Sequence, residues 1–177
     1  MTKILGYHWV KSGYGLWLPG DERGHWSSAW DEQIGYIEHH QLHEGDPVRK
    51  RMAEELLVRA PVRFSADVRE VIKETLLRCE SESDWTIAAI AVEETHLHAL
   101  LTPTKRDIDN VLKWLAQEIT KAVHRLSSHT GPVWCRGRWR QYIDDQEHWD
   151  NTVNYIESHN QRRDSRVLPA ASRQCPS

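Results

Sequence analysis

The chain has few of the residues that staple or anchor a protein. Its 177 residues include three cysteines, Cys79, Cys135 and Cys175. An odd number with no CxxC pair supports neither a disulfide framework nor a cysteine-bound zinc, and fits a reducing, cytoplasmic setting. No apolar run approaches the roughly 18 residues of a membrane span. The opening MTKILGYHWV also lacks the apolar core of a secretory signal. A soluble chain with no membrane partner is expected. Excess positive charge is missing too: the net charge is −3 and the pI about 6.4, which counts against a broad electrostatic footprint for nucleic acid. There is no internal repeat or low-complexity run. At this length a single domain can bury a core unaided. It is expected over 1–163, with 164–177, holding two prolines and few apolar residues, as a loosely attached tail.

What the chain does have is tryptophan and clustered charge. It contains nine tryptophans, several of them in Gly-rich or Arg-rich stretches. Acidic residues gather in Glu80-Ser81-Glu82-Ser83-Asp84 and Asp144-Asp145-Gln146-Glu147. Arginines gather at Arg136, Arg138 and Arg140, beside Trp134 and Trp139, and again at Arg162 and Arg163. Guanidinium groups interleaved with indoles suit phosphate contact and base stacking. A solvated strand face is the competing reading for the first arginine group.

Periodicity supplies the elements. Gly6 to Ser12 alternates as a strand and is broken by Gly13-Tyr14-Gly15; a turn-rich loop runs from Leu16 to Ser28. Helices are expected over Trp30 to His43, carrying His39, His40 and His43 near its end, and over Pro47 to Arg59. A third starts at a Ser65 N-cap and runs to about Arg78, with Val68, Val71, Ile72, Leu76 and Cys79 on one face. Ile87 to Val92 and Leu97 to Leu101, parted by Glu93-Glu94-Thr95, read as an antiparallel hairpin. Ile108, Val111, Leu112, Leu115, Ile119, Val123 and Leu126 mark a long amphipathic helix that Gly131-Pro132 stops. A strand at Trp139 to Ile143 and a helix from Asp145 to His159 finish the domain. The order β, α, β, β, α, β, then α predicts an α+β fold. It is a ferredoxin-like split βαβ with a four-stranded antiparallel sheet and an added C-terminal helix.

The chemistry centres on His96-Leu97-His98. Strand side chains alternate, so both imidazoles project to one face and can share a metal ion. With 11 histidines in the chain, chance alone gives ~0.7 such triplets, and hydrogen-bonded sheet histidines are the alternative. On the last helix Tyr155 and His159 stand at i and i+4 and share a face. Packed across the sheet, His159 would be a third ligand and would leave coordination positions open, as in a catalytic site. The Tyr155 hydroxyl would then be aimed at a substrate phosphate. A packing tyrosine with its hydroxyl in solvent is the rival reading.

His96-Leu97-His98 within AVEETHLHALLTP resembles the HUH motif (His, hydrophobic, His) of single-tyrosine HUH transposases. NTVNYIESHN resembles the helix bearing their nucleophilic tyrosine. The resemblance is nearest to the REP-associated tyrosine transposases. It spans about residues 4 to 163 and includes GLWLPGDERGHW and VWCRGRWRQYIDD. It implies an HUH domain that cleaves and rejoins single-stranded or hairpin-flanked DNA through a 5′-phosphotyrosine. By this resemblance Tyr155 is the nucleophile, His96 and His98 are metal ligands, and His159 stands where the family usually has asparagine or glutamine. Three imidazoles favour manganese over the family's usual magnesium. Glu94-Thr95 replaces the Pro-Asn common before the pair, and Arg140-Gln141 replaces an acidic-His pair on the following strand. The resemblance admits a monomer or a homodimer exchanging helices. A domesticated hairpin-binding protein and a plain metal-dependent hydrolase are the rival functions.

Overall fold

The computed structural model describes residues 3–23, 44–136 and 139–164, with side chains described to 161. The expected helix over Trp30 to His43, with His39, His40 and His43, lies outside the described residues, as does the tail from 165. In chain order the elements are β1 (Gly6–Ser12), α1 (Pro47–Glu55), α2 (Ala66–Ser81), β2 (Ile87–Val92), β3 (His96–Leu101), α3 (Ile108–Leu126), β4 (Trp139–Ile143) and α4 (Gln146–Asp164). The strands form one sheet in the order β2-β3-β1-β4, and every neighbouring pair is antiparallel. This is the ferredoxin-like split βαβ that the element order implies. Among the described residues no helix is long and apolar enough to cross a membrane.

Local chemistry sets the helix starts. The Asp46 carboxylate accepts from the Val48 and Arg49 amides ahead of Pro47, Ser65 accepts from Val68, and Asp107 accepts from Asn110. Asp145 accepts from the His148 amide. Each satisfies amide donors that a helix start leaves unpaired. Two boundaries differ from expectation. Helix α1 stops at Glu55, ahead of Arg59, because the chain turns to bring the Val62 amide onto the Tyr14 carbonyl and Pro61 disfavours helical backbone at Ala60. Helix α4 runs past His159 to Asp164 because Asn160-Gln161-Arg162-Arg163 contains no breaker.

The sheet is covered on both faces. Tyr7, Trp9, Leu97, Ala99 and Leu101 point to one side and pack with Ile72, Leu76 and Cys79 of α2 and with Val111, Leu112, Leu115, Ile119 and Val123 of α3. Their period-two partners point to the other side. There Ala89, Ala91, Leu100 and Ile143 meet Ile156, Trp149 and Val153 of α4. The alanines on β2 let α4 lie close to the sheet, and the Asn160 side-chain amide donates to the Ile90 carbonyl (3.0 Å), pinning the helix there. Gly6 fixes the other end: a Cβ there would lie 2.5 Å from the Trp149 ring and 2.6 Å from the Leu101 carbonyl oxygen. Gly6→Ala should therefore destabilise the fold by about 1–3 kcal/mol through overpacking, lifting α4 off the sheet. A melting temperature equal to wild type would show that α4 does not seat on Gly6.

Candidate metal centre

Alternation along the strands and the sheet order bring together what the sequence keeps apart. Because β3 lies beside β1, with Val10 opposite His98 and Ser12 opposite His96, the even-numbered side chains of β1 share a face with both β3 histidines. Helix α4 crosses that face. His98 is 4% exposed and His8 6%. One potential ligand atom each from His96, His98 and His159 lies within 4.8 Å of the others. Twice a metal–nitrogen bond of about 2.1 Å is ~4.2 Å, so a small inward rotation of the rings would close the set on one ion.

Each of the three rings is held through its Nδ1. His98 Nδ1 lies 3.1 Å from His8 Nε2, His96 Nδ1 shares a hydrogen bond with the Thr95 hydroxyl at 2.8 Å, and His159 Nδ1–H donates to the Glu93 carboxylate at 3.2 Å. The Nε2 atoms of His98 and His159 are buried and have no hydrogen-bond partner among the described residues. Buried ring nitrogens left bare are costly. Nδ1 held by an oxygen or a second ring with Nε2 left toward a common point is the arrangement of metal-binding imidazoles, in which the outer partner fixes the tautomer. Nitrogen donors suit manganese, zinc or another transition ion better than magnesium.

Burial favours the uncharged form of His8, His96 and His98. It is the main cause that lowers His98 to about 2 and His8 to about 4 from the usual 6.5, with further lowering of His98 by His96, His8 and His159 and of His8 by His148 and His159. Burial also lowers His96, with His159 adding and Glu93 opposing. Neutral imidazole is the form that binds a cation.

Tyr155 stands over the cluster. It is 49% exposed, and its ring centroid lies 4.9 Å from that of His159 and 5.4 Å from that of His98, edge-on to both. Trp139 lies on the same sheet face, edge-on to His8 at 5.2 Å. Two other residues assigned to DNA, Arg140 and Trp134, lie on the opposite face of the sheet. Arg140 pairs in register with Trp9 and so faces α3, where it binds Asp109 at 3.2 Å and stacks on Tyr142. The Trp134 indole donates to the Ala116 carbonyl and packs on Phe64, on that same helix-covered face. Arg136 is exposed, Arg138 lies outside the described residues, and Arg162 and Arg163 occupy the last turn of α4, their side chains outside the described part.

The pattern in sequence did not single out His8, Thr95 or Glu93, which orient the three rings. His8 had a signal: it sits at an alternating position of the strand that a ferredoxin-like order places beside β3. Arg23 was also missed. It stacks on the Trp17 ring at 4.8 Å, grips Asp21 through two hydrogen bonds of 2.6 and 3.0 Å, and lies near enough to His96 to help lower it. Trp17 holds a left-handed φ of 60°, a strained conformation for a bulky side chain.

No family model matches the chain, and neither does any curated protein. Solved structures do. A protein of Deinococcus radiodurans R1 provisionally designated a transposase matches with a TM-score of 0.50 and 13% identity, over 90% of this chain and 93% of that one. A REP-associated tyrosine transposase bound to a REP hairpin matches with a TM-score of 0.50 and 12% identity, over 92% of this chain and 71% of its own. The chain has the fold of these transposases. At such identity the likeness speaks for architecture, one open antiparallel sheet with helices.

Two outcomes follow from the centre itself. His98→Ala should abolish manganese binding in calorimetric titration, and His8→Ala, which removes only the outer partner, should weaken it by roughly 10- to 100-fold; wild-type affinity in both would exclude the centre. In the metal-free protein the unfolded chain takes up protons below about 6.5 while buried His8 and His98 do not. Stability should thus be full above that pH and fall as pH drops toward about 4 for His8 and about 2 for His98. The slope is at most ~1.4 kcal/mol per pH unit for each ring. A melting temperature flat from pH 7 to pH 5 would contradict neutral burial.

Proposed function

We propose that this chain is a metal-dependent endonuclease and strand transferase of single-stranded DNA, acting at hairpin-flanked sites through a 5′-phosphotyrosine on Tyr155. The observation that carries the reading is the half-exposed Tyr155 ring set 4.9 and 5.4 Å from His159 and His98, two imidazoles whose buried Nε2 atoms lack partners among the described residues. A nucleophile beside an open three-imidazole set is what phosphoryl transfer needs. That a structural neighbour of the same fold is described as bound to a REP hairpin supports hairpin DNA as the class of substrate.

The chain's own groups account for the steps. Tyr155 oxygen attacks the scissile phosphorus in line, forming a Tyr–O–P bond as the bond to the 3′ oxygen breaks. That oxygen departs as a 3′-hydroxyl with the proton the phenol gives up. His96, His98 and His159 would hold manganese or magnesium, and such an ion, when bound, supplies positive charge to offset that on the phosphate oxygens. Trp139, half-exposed beside His8, offers an indole edge to a neighbouring base. Arg23 on Trp17 stands at the His96 side, where it can meet backbone phosphate. The phosphotyrosine conserves the phosphodiester bond energy, so a second 3′-hydroxyl can reverse the step and join strands without ATP.

Tyr155→Phe separates this function from a water nucleophile, because both depend on the ion. The wild-type protein should become covalently linked to the 5′ end of the downstream fragment, leaving a free 3′-hydroxyl on the other. Digestion and mass spectrometry should find the nucleotide on the peptide holding Tyr155. The phenylalanine variant should form no adduct while binding metal and DNA as before. Cutting at the wild-type rate by that variant would make the protein a plain metal-dependent hydrolase. Hairpin binding without cleavage by the wild type would make it a binding module.

A further inference from the structure

The opposite face of the sheet has an opening that this reaction does not use. Trp9 and Lys11 of β1, Trp134 and the stripe Lys113, Gln117 and Lys121 on α3 wall a cavity of about 840 Å³. It lies behind the sheet from the histidines, since Trp9 and Lys11 alternate with His8 and Ser12. The three stripe residues are spaced by four and share one helix face. Every charged residue on the wall is a lysine, and Lys121 also pairs with Glu118 on the same helix at 2.6 Å. Lys11 is 8% exposed, and its ammonium is anchored on the Cys135 carbonyl at 2.9 Å. Trp9 is 1% exposed, and its indole nitrogen, closed off from solvent, has no hydrogen-bond partner among the described residues.

These features constrain the occupant. A small inorganic anion would satisfy the lysines but leave the indole and leucine walls facing nothing they favour. An apolar ligand would cover the indoles but set hydrocarbon against the lysine ammonium groups. A group that joins a flat aromatic ring to a phosphate suits the lysines and the indole faces together, and that group is a nucleotide. We infer that this cavity binds one or two nucleotide units of the single DNA strand, away from the phosphate that is cut. The bases lie against Trp134, and the phosphates lie on Lys113 and on Lys121, which exchanges its Glu118 contact for the phosphate. The inference rests on the proposed DNA-processing function and adds to it a second grip, on the far side of the sheet. Such a grip would let a protein of net charge −3 hold a strand through local cationic surface. It also gives Trp134, distant from the histidines, a place on the DNA path.

The test uses full-length protein without metal and a 5′-phosphorylated thymidine dinucleotide, followed in ¹⁵N–¹H spectra where indole N–H resonances are resolved. The resonances of Trp9 and Trp134 should shift saturably. In parallel, two variants leave the histidine face untouched: Lys113→Ala with Lys121→Ala removes charge, and Gln117→Trp fills the opening from an exposed helix position. Each should weaken binding of a single-stranded oligonucleotide roughly 5- to 100-fold, as expected when a base loses its stacking partner or a phosphate its cation. The double variant should lower the salt slope of log K by about 0.7 for each phosphate it leaves unneutralised. Manganese affinity and melting temperature should stay at wild-type values. Unshifted Trp9 and Trp134 resonances, or wild-type DNA affinity and salt slope in both variants, overturn the cavity while leaving Tyr155 chemistry standing. Nucleotide-dependent shifts in a protein that never forms the Tyr155 adduct sustain the cavity and overturn the nuclease.

Discussion

Three imidazoles can be buried beneath one helix only if all six ring nitrogens are given a purpose. In this fold the Nδ1 atoms are taken by His8, Thr95 and Glu93 at 2.8 to 3.2 Å, which leaves Nε2 as the free side of each ring. Two of those Nε2 atoms are buried without a partner among the described residues, a cost with no structural benefit, since apolar side chains of similar size would fill the same space. The surrounding structure serves this arrangement. Ala89 and Ala91 bring α4 down onto β2, Asn160 pins it to the Ile90 carbonyl, and Gly6 makes room for Trp149. Without that close seat His159 would not reach the pair on β3.

The two faces of the sheet differ in how much apolar core they carry. Its α2 and α3 side is the larger apolar core, with Trp9, Leu97, Leu112, Leu115 and Ile119 almost fully buried. Its α4 side has a small apolar contact around Ile156 and gives the rest of its area to polar groups. The α2 and α3 side therefore provides most of the stability, and the α4 side can tolerate bare nitrogens and a half-exposed tyrosine. This division matches the usual cost of a functional site, whose groups are held in unfavourable states by a framework that is stable without them.

Much of this was legible in the sequence. The bounds of β1 and β4 follow from alternation bracketed by turn residues, and α3 from an unbroken apolar stripe. His96, His98, Tyr155 and His159 carry their relations in spacing alone, two apart on a strand and four apart on a helix. What was not legible depends on register and sheet order. His8 meets His98 only because β1 lies next to β3. Arg140 faces Asp109 because it pairs with Trp9, whereas Trp139, one residue earlier, faces the histidines; composition could group them but not sort them by face. Trp134 stands among arginines in the sequence as a stacking aromatic, yet its indole is tied to the Ala116 carbonyl, a hydrogen bond across 18 residues that no local pattern encodes.

The central claim is that His96, His98 and His159 form a single metal centre under Tyr155. The most direct measurement is an anomalous difference map from crystals grown with manganese. The account predicts one strong peak among the three rings, roughly 2 Å from each Nε2, with His98 Nδ1 still bonded to His8. A map with no peak there, or with manganese only at the exposed Asp144, Asp145 and His148 group, would contradict it.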